Sequence, residues 1–410
     1  MDPEYEQFCR GALADPYPLL HRLRTEDPVH WSERLNSWVL TRYADVYAAF
    51  LNPRLASSRV SIFVSELPET MRSQVAPLRE HLSNWMLFSD PPNHTRLRNL
   101  LGKTFTPGIV ENMRAQLQDI VDGLLDKRKA AGRMDLIADF AYLLPVTVIC
   151  EMLGIPARDH DRFRHWSEDI VAFTSAGGPA RAATAARSQQ SLMELSDYFR
   201  GVIADCRHNR PDTLLGELVA VEEQGDRLTE RELVSMCTLL FIAGHETTTN
   251  LIGNGMLALL QNPAEFKKLK ENPTALMNSA IEELLRYEAP LQRQTRVAKE
   301  DLQIGGKSIR KGDAVLLMQG AANRDPAQFP DPDHLNIARP EKENRHVAFG
   351  WGSHFCVGAP LARIEAQVAF GTILRRAPGI RLVAGQKLEW RQSMGLRGLK
   401  ALHVEIGARN

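Results

Sequence analysis

The chain has 410 residues, 44% of them hydrophobic and 24% charged, enough to bury a large core. Its 50 Lys and Arg balance 50 Asp and Glu, so no net field draws it to nucleic acid or an acidic membrane surface. No apolar run approaches the roughly 18 residues of a membrane span, the polar start Met1–Glu6 carries no signal peptide, and five scattered cysteines (Cys9, Cys150, Cys206, Cys237, Cys356) include no CxxC pair; the expectation is reduced thiols in a cytoplasmic protein, without a disulfide framework or zinc ribbon.

In chain order, the first 60 residues mix short helices with strand-like pieces around Val29–Trp31 and Trp38–Leu40. A lid is expected between Ala56 and Leu82, with Arg59 in it either solvated or facing an anionic substrate or carrier. Helical segments fill roughly residues 90 to 290. Asp90-Pro91-Pro92 reads as an N-cap followed by helix-start prolines. His94 and Arg98 follow at i and i+4 and share a face that can grip a carboxylate, although surface His/Arg pairs are common. Gly177-Gly178-Pro179 marks a break, expected to be a mobile loop.

Thr229 and Glu232 form a capping box, and helical pattern continues to Gln261, where Asn262-Pro263 stops it. Some 32 residues make a helix of roughly 48 Å that must cross the core. Its middle, Ala243-Gly244-His245-Glu246-Thr247-Thr248-Thr249, breaks helix preference where burial should be deepest. The plain reading is a kink with satisfied hydroxyls. The functional reading is a widened groove for a small ligand such as dioxygen, with Glu246 and Thr247 relaying protons. A zinc-protease HExxH motif fails because Thr249 stands where the second imidazole is needed.

Glu283 and Arg286, at i and i+3, read either as a surface ion pair or as a buried pair, with Arg339 as a third member, locking the segment before the last helix. From Arg296 to Met318 the pattern changes to strands: Leu302 and Ile304 alternate with polar residues, and Gly305-Gly306 gives a hairpin turn. Pro326, Pro330, Pro332 and Pro340 mark an extended meander. Cys356 then sits in the glycine-hinged loop Phe349–Gly358, directly before an amphipathic helix. Free N–H groups and the dipole of a helix start favour a thiolate there, a soft metal ligand. His94, Arg98, Arg296 and His354 form a set of donors suited to the two propionates of a haem. No linker divides the sequence, so residues 1–410 read as one domain.

Together these residues resemble a cytochrome P450, a haem-thiolate monooxygenase. Phe349, Gly352, His354, Cys356 and Gly358 fit Phe-x-x-Gly-x-His/Arg-x-Cys-x-Gly. Ala243 to Thr247 fit Ala/Gly-Gly-x-Asp/Glu-Thr, Glu283 to Arg286 fit Glu-x-x-Arg, and His94 to Arg98 fit the His-x-x-x-Arg of the haem-clasping helix. The order and spacing agree over nearly the full chain, and the joint match is specific. Asn336 departs from the pattern, where relatives often carry Asp before Arg339. The resemblance is closest to soluble bacterial members acting on polyketide macrolides and fatty-acyl chains.

The resemblance implies a mainly α fold with a minor β region, a triangular prism of helices around the long central one. It implies haem b as cofactor, with Cys356 as its iron ligand and with Ala243, Phe349, Gly358 and the four donors around it. Glu246 and Thr247 become the acid–alcohol pair for proton delivery. Substrate contacts are implied at Leu87, Phe88, Leu239, Ala243, Leu291, Gln292, Met394 and Leu396, with Gln292 orienting a carbonyl or hydroxyl. The reaction is hydroxylation or epoxidation with O2, on a polyketide, macrolide or other secondary metabolite. Fatty-acid, terpene or steroid hydroxylation, a peroxygenase and a non-catalytic haem-fold recruitment module are the alternatives. Without a GxGxxG fingerprint or an iron–sulfur cysteine cluster, electrons must come from a separate ferredoxin and its reductase. Arg96, Lys103, Lys342, Arg345 and Arg363 are candidates for its docking face, on a monomer.

Overall fold

The computed structural model describes residues 3–104, 107–176, 179–211, 213–223 and 228–407. Gly177 and Gly178, where a break is expected, lie outside them. Its strands are β1 (Val29–Ser32), β2 (Ser37–Leu40), β3 (Leu55–Ala56), β4 (Arg133–Asp135), β5 (Gln294–Ala298), β6 (Leu302–Ile304), β7 (Lys307–Ile309), β8 (Ala314–Leu317), β9 (Arg381–Leu382) and β10 (His403–Glu405). The helices that shape the site are α1 (Val60–Ser65), α2 (Ala76–Ser83), α3 (Asn93–Thr104), α4 (Leu143–Met152), α5 (His160–Ser175), α6 (Pro179–Asn209), α7 (Glu230–Gln261), α8 (Pro273–Tyr287) and α9 (Ala359–Arg376). This mainly helical architecture with small sheets agrees with the sequence expectation.

The largest sheet has the order β1-β2-β8-β5-β3, antiparallel except where β2 runs parallel to β8. β4, β10 and β9 form a second sheet, and β6 and β7 a hairpin. That hairpin turns at Gly305 and Gly306, with φ of 55° and 77°, which is why glycine stands at both.

α7 is built as its local signals demand. Glu232 N donates to Thr229 Oγ1 at 3.2 Å and Thr229 N to Glu232 Oε2 at 2.9 Å, closing the capping box. It is buried along most of its length and packs against α4, α6, α8 and α9. A Cβ at Gly255 would stand 2.9 Å from the Phe370 ring, so that glycine lets α9 approach. The helix is continuous through Gly244–Thr249. Thr247 and Thr248 donate back to the carbonyls of Ala243 and Gly244, at 3.1 and 3.3 Å, which satisfies their hydroxyls without interrupting the helix.

The Glu283 cluster is buried, not superficial. Glu283 and Arg286 are 0% exposed and Arg339 is 4% exposed. Arg286 donates to both Glu283 oxygens at 2.8 Å, and Arg339 Nε adds a bond at 3.0 Å. The remaining donors reach the carbonyl of Asn323 and, in the meander, those of Pro330, Asp331, Pro332 and His334. Asn336 serves here with its backbone, donating to Glu283 at 2.9 Å, while its side-chain oxygen accepts from Ala338 N at 3.2 Å.

Asp90 does not cap α3, which begins at Asn93. Its carboxylate accepts from Ser57 N, Ser58 N and Ser58 Oγ at 2.8, 3.1 and 2.6 Å, so it fastens the segment after β3. Burial opposes its ionisation, but these bonds outweigh burial and hold the carboxyl below its usual range.

Candidate functional site

The loop from Phe349 to Gly358 wraps back on itself: Cys356 N donates to Phe349 O at 3.0 Å. Gly350 and Gly352 take φ of 69° and 71°, and a Cβ at Gly352 would press to 3.2 Å from Phe50 O. α9 starts at Ala359, immediately beyond, with Pro360 in its first turn. Cys356 is therefore held at a helix start, as its sequence setting suggests. The helix-start N–H groups of Gly358 and Ala359 act in the expected direction and favour the thiolate, but burial opposes them. Burial raises the thiol pKa, and this outweighs the lowering by the Gly358 N–H, Arg98, Arg363 and the Ala359 N–H. A bound metal cation would tip that balance, since a coordinating thiol deprotonates.

Cys356 opens into a cavity of about 330 Å³. Ala243, Gly244, Glu246, Thr247 and Thr248 of α7 line the same cavity. Glu246 is buried, with Oε1 3.6 Å from His245 Nε2 and Oε2 3.8 Å from Arg391 Nη1. Burial opposes its charge, but His245, Arg391 and Arg164 outweigh it and hold the carboxyl below its usual value. His245 Nδ1 lies 2.7 Å from Phe241 O, and its Nε2 3.1 Å from Ser167 Oγ. Arg391 and Arg164 come from distant segments with no motif of their own, and sequence reasoning missed both.

The four expected donors converge. His94, Arg98 and His354 line the cavity, and the His94 and His354 rings stand 3.9 Å apart. Both ring nitrogens of His94, Nε2 of His354 and Nη2 of Arg296 are buried without a hydrogen-bond partner among the described residues. Burial lowers the pKa of all four, His354 to about 3 with help from the His94 and Arg296 charges, and Arg296 to about 10. Such unpaired buried donors are costly alone. They fit a group that brings two carboxylates, as a haem does, with the Cys356 thiol as a soft iron ligand beside them. Phe349 and Gly358 also line the cavity.

Leu87, Phe88, Leu239, Ala243, Leu291 and Leu396 line the cavity as expected substrate contacts should. Gln292 and Met394 do not. Leu291 pairs with Leu396 in an isolated bridge, which turns Gln292 to the other side, where its Nε2 donates to Ala289 O at 2.8 Å. Ser393 Oγ accepts from Gly395 N and Leu396 N at 3.2 and 2.9 Å, and this turn sends Met394 into a core with Phe8, Tyr17 and Leu19. Arg59 is not a solvated residue: it is 7% exposed, lies 4.4 Å over the Phe88 ring and lines the cavity. Arg293, which no motif singles out, lines it too.

The expected docking face is partly committed elsewhere. Arg96 pairs with Glu232, and Arg363 donates to both Glu282 oxygens at 2.6 and 2.9 Å. Lys342 and Arg345 are exposed, and the side chain of Lys103 lies outside those described.

The family model described as Cytochrome P450 matches residues 61–377. The chain is 40% identical over 400 residues to the polyketide biosynthesis cytochrome P450 PksS of Bacillus subtilis, covering 96% of each. It is 41% identical over 402 residues to the cytochrome P450 monooxygenase PikC of Streptomyces venezuelae, covering 95% of this chain and 91% of that one. The solved structure of P450BioI in complex with hexadec-9Z-enoic acid ligated acyl carrier protein superposes with a TM-score of 0.88 at 34% identity, covering 98% of this chain and all of that one.

Proposed function

The chain belongs to the cytochrome P450 family, and on that premise we propose that it inserts one oxygen atom of O2 into a lipophilic small molecule of polyketide or fatty-acyl character, with electrons from a separate ferredoxin and its reductase. As a member of that family it is a monooxygenase with haem iron as its cofactor. When bound, the haem activates dioxygen so that one atom enters a C–H or C=C bond and the other leaves as water. In this reading Cys356 supplies the thiolate ligand. His94, Arg98, Arg296 and His354 take the propionates, and Glu283, Arg286 and Arg339 hold the meander that leads to the cysteine loop. Glu246, beside the half-exposed Arg391, takes up protons, and Thr247 Oγ1 hands them to the cavity. Leaving water consumes two of them with two electrons. The reading takes residues 1–410 as one domain, monomeric and cytoplasmic. No helix among the described residues is long and apolar enough to cross a membrane.

One observation carries the proposal: the Cys356 thiol, the Glu246–Thr247 turn and an apolar wall line one cavity beside unpartnered donors. The test is the reduced, CO-bound spectrum, which must show the red-shifted Soret band of thiolate ligation, lost in Cys356→Ala. Thr247→Ala must keep that band while NADPH oxidation runs ahead of product. A normal band in Cys356→Ala, or full coupling in Thr247→Ala, overturns the corresponding role.

A further inference from the structure

Four guanidinium groups follow one another along the cavity side of the molecule. Arg296 belongs to the propionate cradle. Arg59 feels the like charges of Arg296 and Arg293 and the opposite charge of Asp90, and Arg293 feels Arg181 against Glu66. The row ends at Glu66, whose carboxylate accepts from Arg181 Nε at 3.0 Å. The other carboxylate close to the row, Asp90, is committed to Ser57 and Ser58. Arg98 and Arg296 suffice for two propionates. Arg59 and Arg293 are then two cavity-lining cations in excess, and among the described residues neither has a carboxylate in ion-pair contact.

Their hydrogen bonds are also incomplete. Arg293 Nη1 donates to Thr295 Oγ1 at 3.1 Å, and Nη2 makes a long 3.3 Å bond to Ser175 O at the end of α5. Its Nε is buried and has no partner among the described residues. Arg59 spends one donor on Ser57 O at 3.1 Å and stacks over Phe88. Burial lowers both pKa values, that of Arg293 to about 10. A side chain that served only to tie α5 to β5 would not need an unused donor and a charge with no carboxylate in contact.

Given the monooxygenase reading above, we propose that Arg293, with Arg59 beside it, binds the carboxylate of the substrate, so that the substrate class is an amphiphile with a free carboxylate and an apolar body. A carboxylate supplies the missing counter-charge and can accept from the open Nε edge of Arg293. The apolar body then lies along Leu87, Phe88, Leu239 and Leu396. The carboxylate end is fixed, so oxidation falls at a set distance from it, on the apolar portion.

The test uses haem-loaded protein and the substrate-induced spin-state shift, which reads binding without turnover. The probes are dodecanoic acid and abietic acid, each with its methyl ester. At least one acid must bind about tenfold or more tightly than its ester. Arg293→Gln must abolish that preference by weakening the acid and sparing the ester, and Arg293→Lys must restore part of it. Each variant must retain the thiolate CO band, which shows an intact haem site. A wild-type protein that binds neither acid more tightly than its ester overturns the proposal. So does an Arg293→Gln variant that weakens acid and ester alike, which marks a structural role, and so does a preference that persists in Arg293→Gln. In each of these cases an intact CO band leaves the monooxygenase reading standing, while loss of the band in the wild type removes that reading instead.

Discussion

The protein buries arginine in two regions, and they differ in what surrounds the charge. Around Glu283, two guanidinium groups share one carboxylate, and their other donors all reach backbone carbonyls, at 2.8 to 3.5 Å. Around the cavity, Arg59 and Arg293 have no carboxylate in ion-pair contact among the described residues, Asp90 and Glu66 acting on them only from a distance, and Arg293 keeps an unused donor. A saturated buried charge locks backbone in place, here the meander leading to the cysteine loop. An unsaturated one is held there for something that arrives later. Arg296 and the His94–His354 pair share this open state, with donors that lack a partner among the described residues.

The largest way to break this contrast is to damage the saturated region. Glu283→Ala leaves Arg286 and Arg339 buried without a counter-charge. Losing one partner of such a cluster costs about 3–5 kcal/mol. Chemical denaturation of the purified protein should show a loss of that size, together with poor haem retention, because the meander feeds directly into the loop of Cys356. A loss below about 1 kcal/mol would mean that the cluster is no lock.

A buried titratable group with neutral partners sharpens the contrast from another side. His81 Nε2 lies 2.9 Å from Thr238 Oγ1, which already donates to Ser235 O at 2.9 Å and so must accept from the ring. Trp85 Nε1 bonds the same oxygen at 3.1 Å. Burial, then the Arg200 charge, lowers the pKa of His81 to about 4 from 6.5. The unfolded chain therefore binds more protons than the folded one between those values, and stability rises with pH across the window. The contribution, about 3 kcal/mol, is fully present above pH 6.5 and is lost as the pH falls towards 4. Denaturation curves of the wild type and His81→Asn, recorded at pH 4.5 and 7 in one buffer series, should differ in slope with pH. Parallel pH profiles would remove His81 from the account.

Some of this was legible in the sequence because the cause is local. The capping box at Thr229–Glu232, the stop at Asn262-Pro263 and the turn at Gly305-Gly306 rest on residues a few positions apart. The glycine hinges around Cys356 do as well. What escaped depends on distant partners. Asp90 looked like a cap because Ser57 and Ser58, which claim its carboxylate, are remote in sequence. Gln292 and Met394 turn away from the cavity through a bridge and a hydroxyl turn that alternation does not encode. The Cys356 thiol is raised by burial, and burial is a property of the whole fold. Arg59 read as a solvated lid residue for the same reason, and Arg293 belongs to no spacing at all.

The smallest expected effect is the most pointed, because it sets the two arginine regions side by side in one measurement. Arg293→Gln removes bonds to Thr295 and Ser175, each contributing about 1 kcal/mol. It also removes a partly buried charge that no carboxylate among the described residues contacts and that only Glu66 favours from a distance, and relief of that cost offsets the lost bonds. The net change in denaturation free energy without added ligand should stay within about 1 kcal/mol, against the several lost in Glu283→Ala. A drop in Arg293→Gln as large as that in Glu283→Ala would make Arg293 a structural tie like Arg286. A near-neutral result means that the cost of burying this charge is borne by the fold and recovered only when a carboxylate enters the cavity.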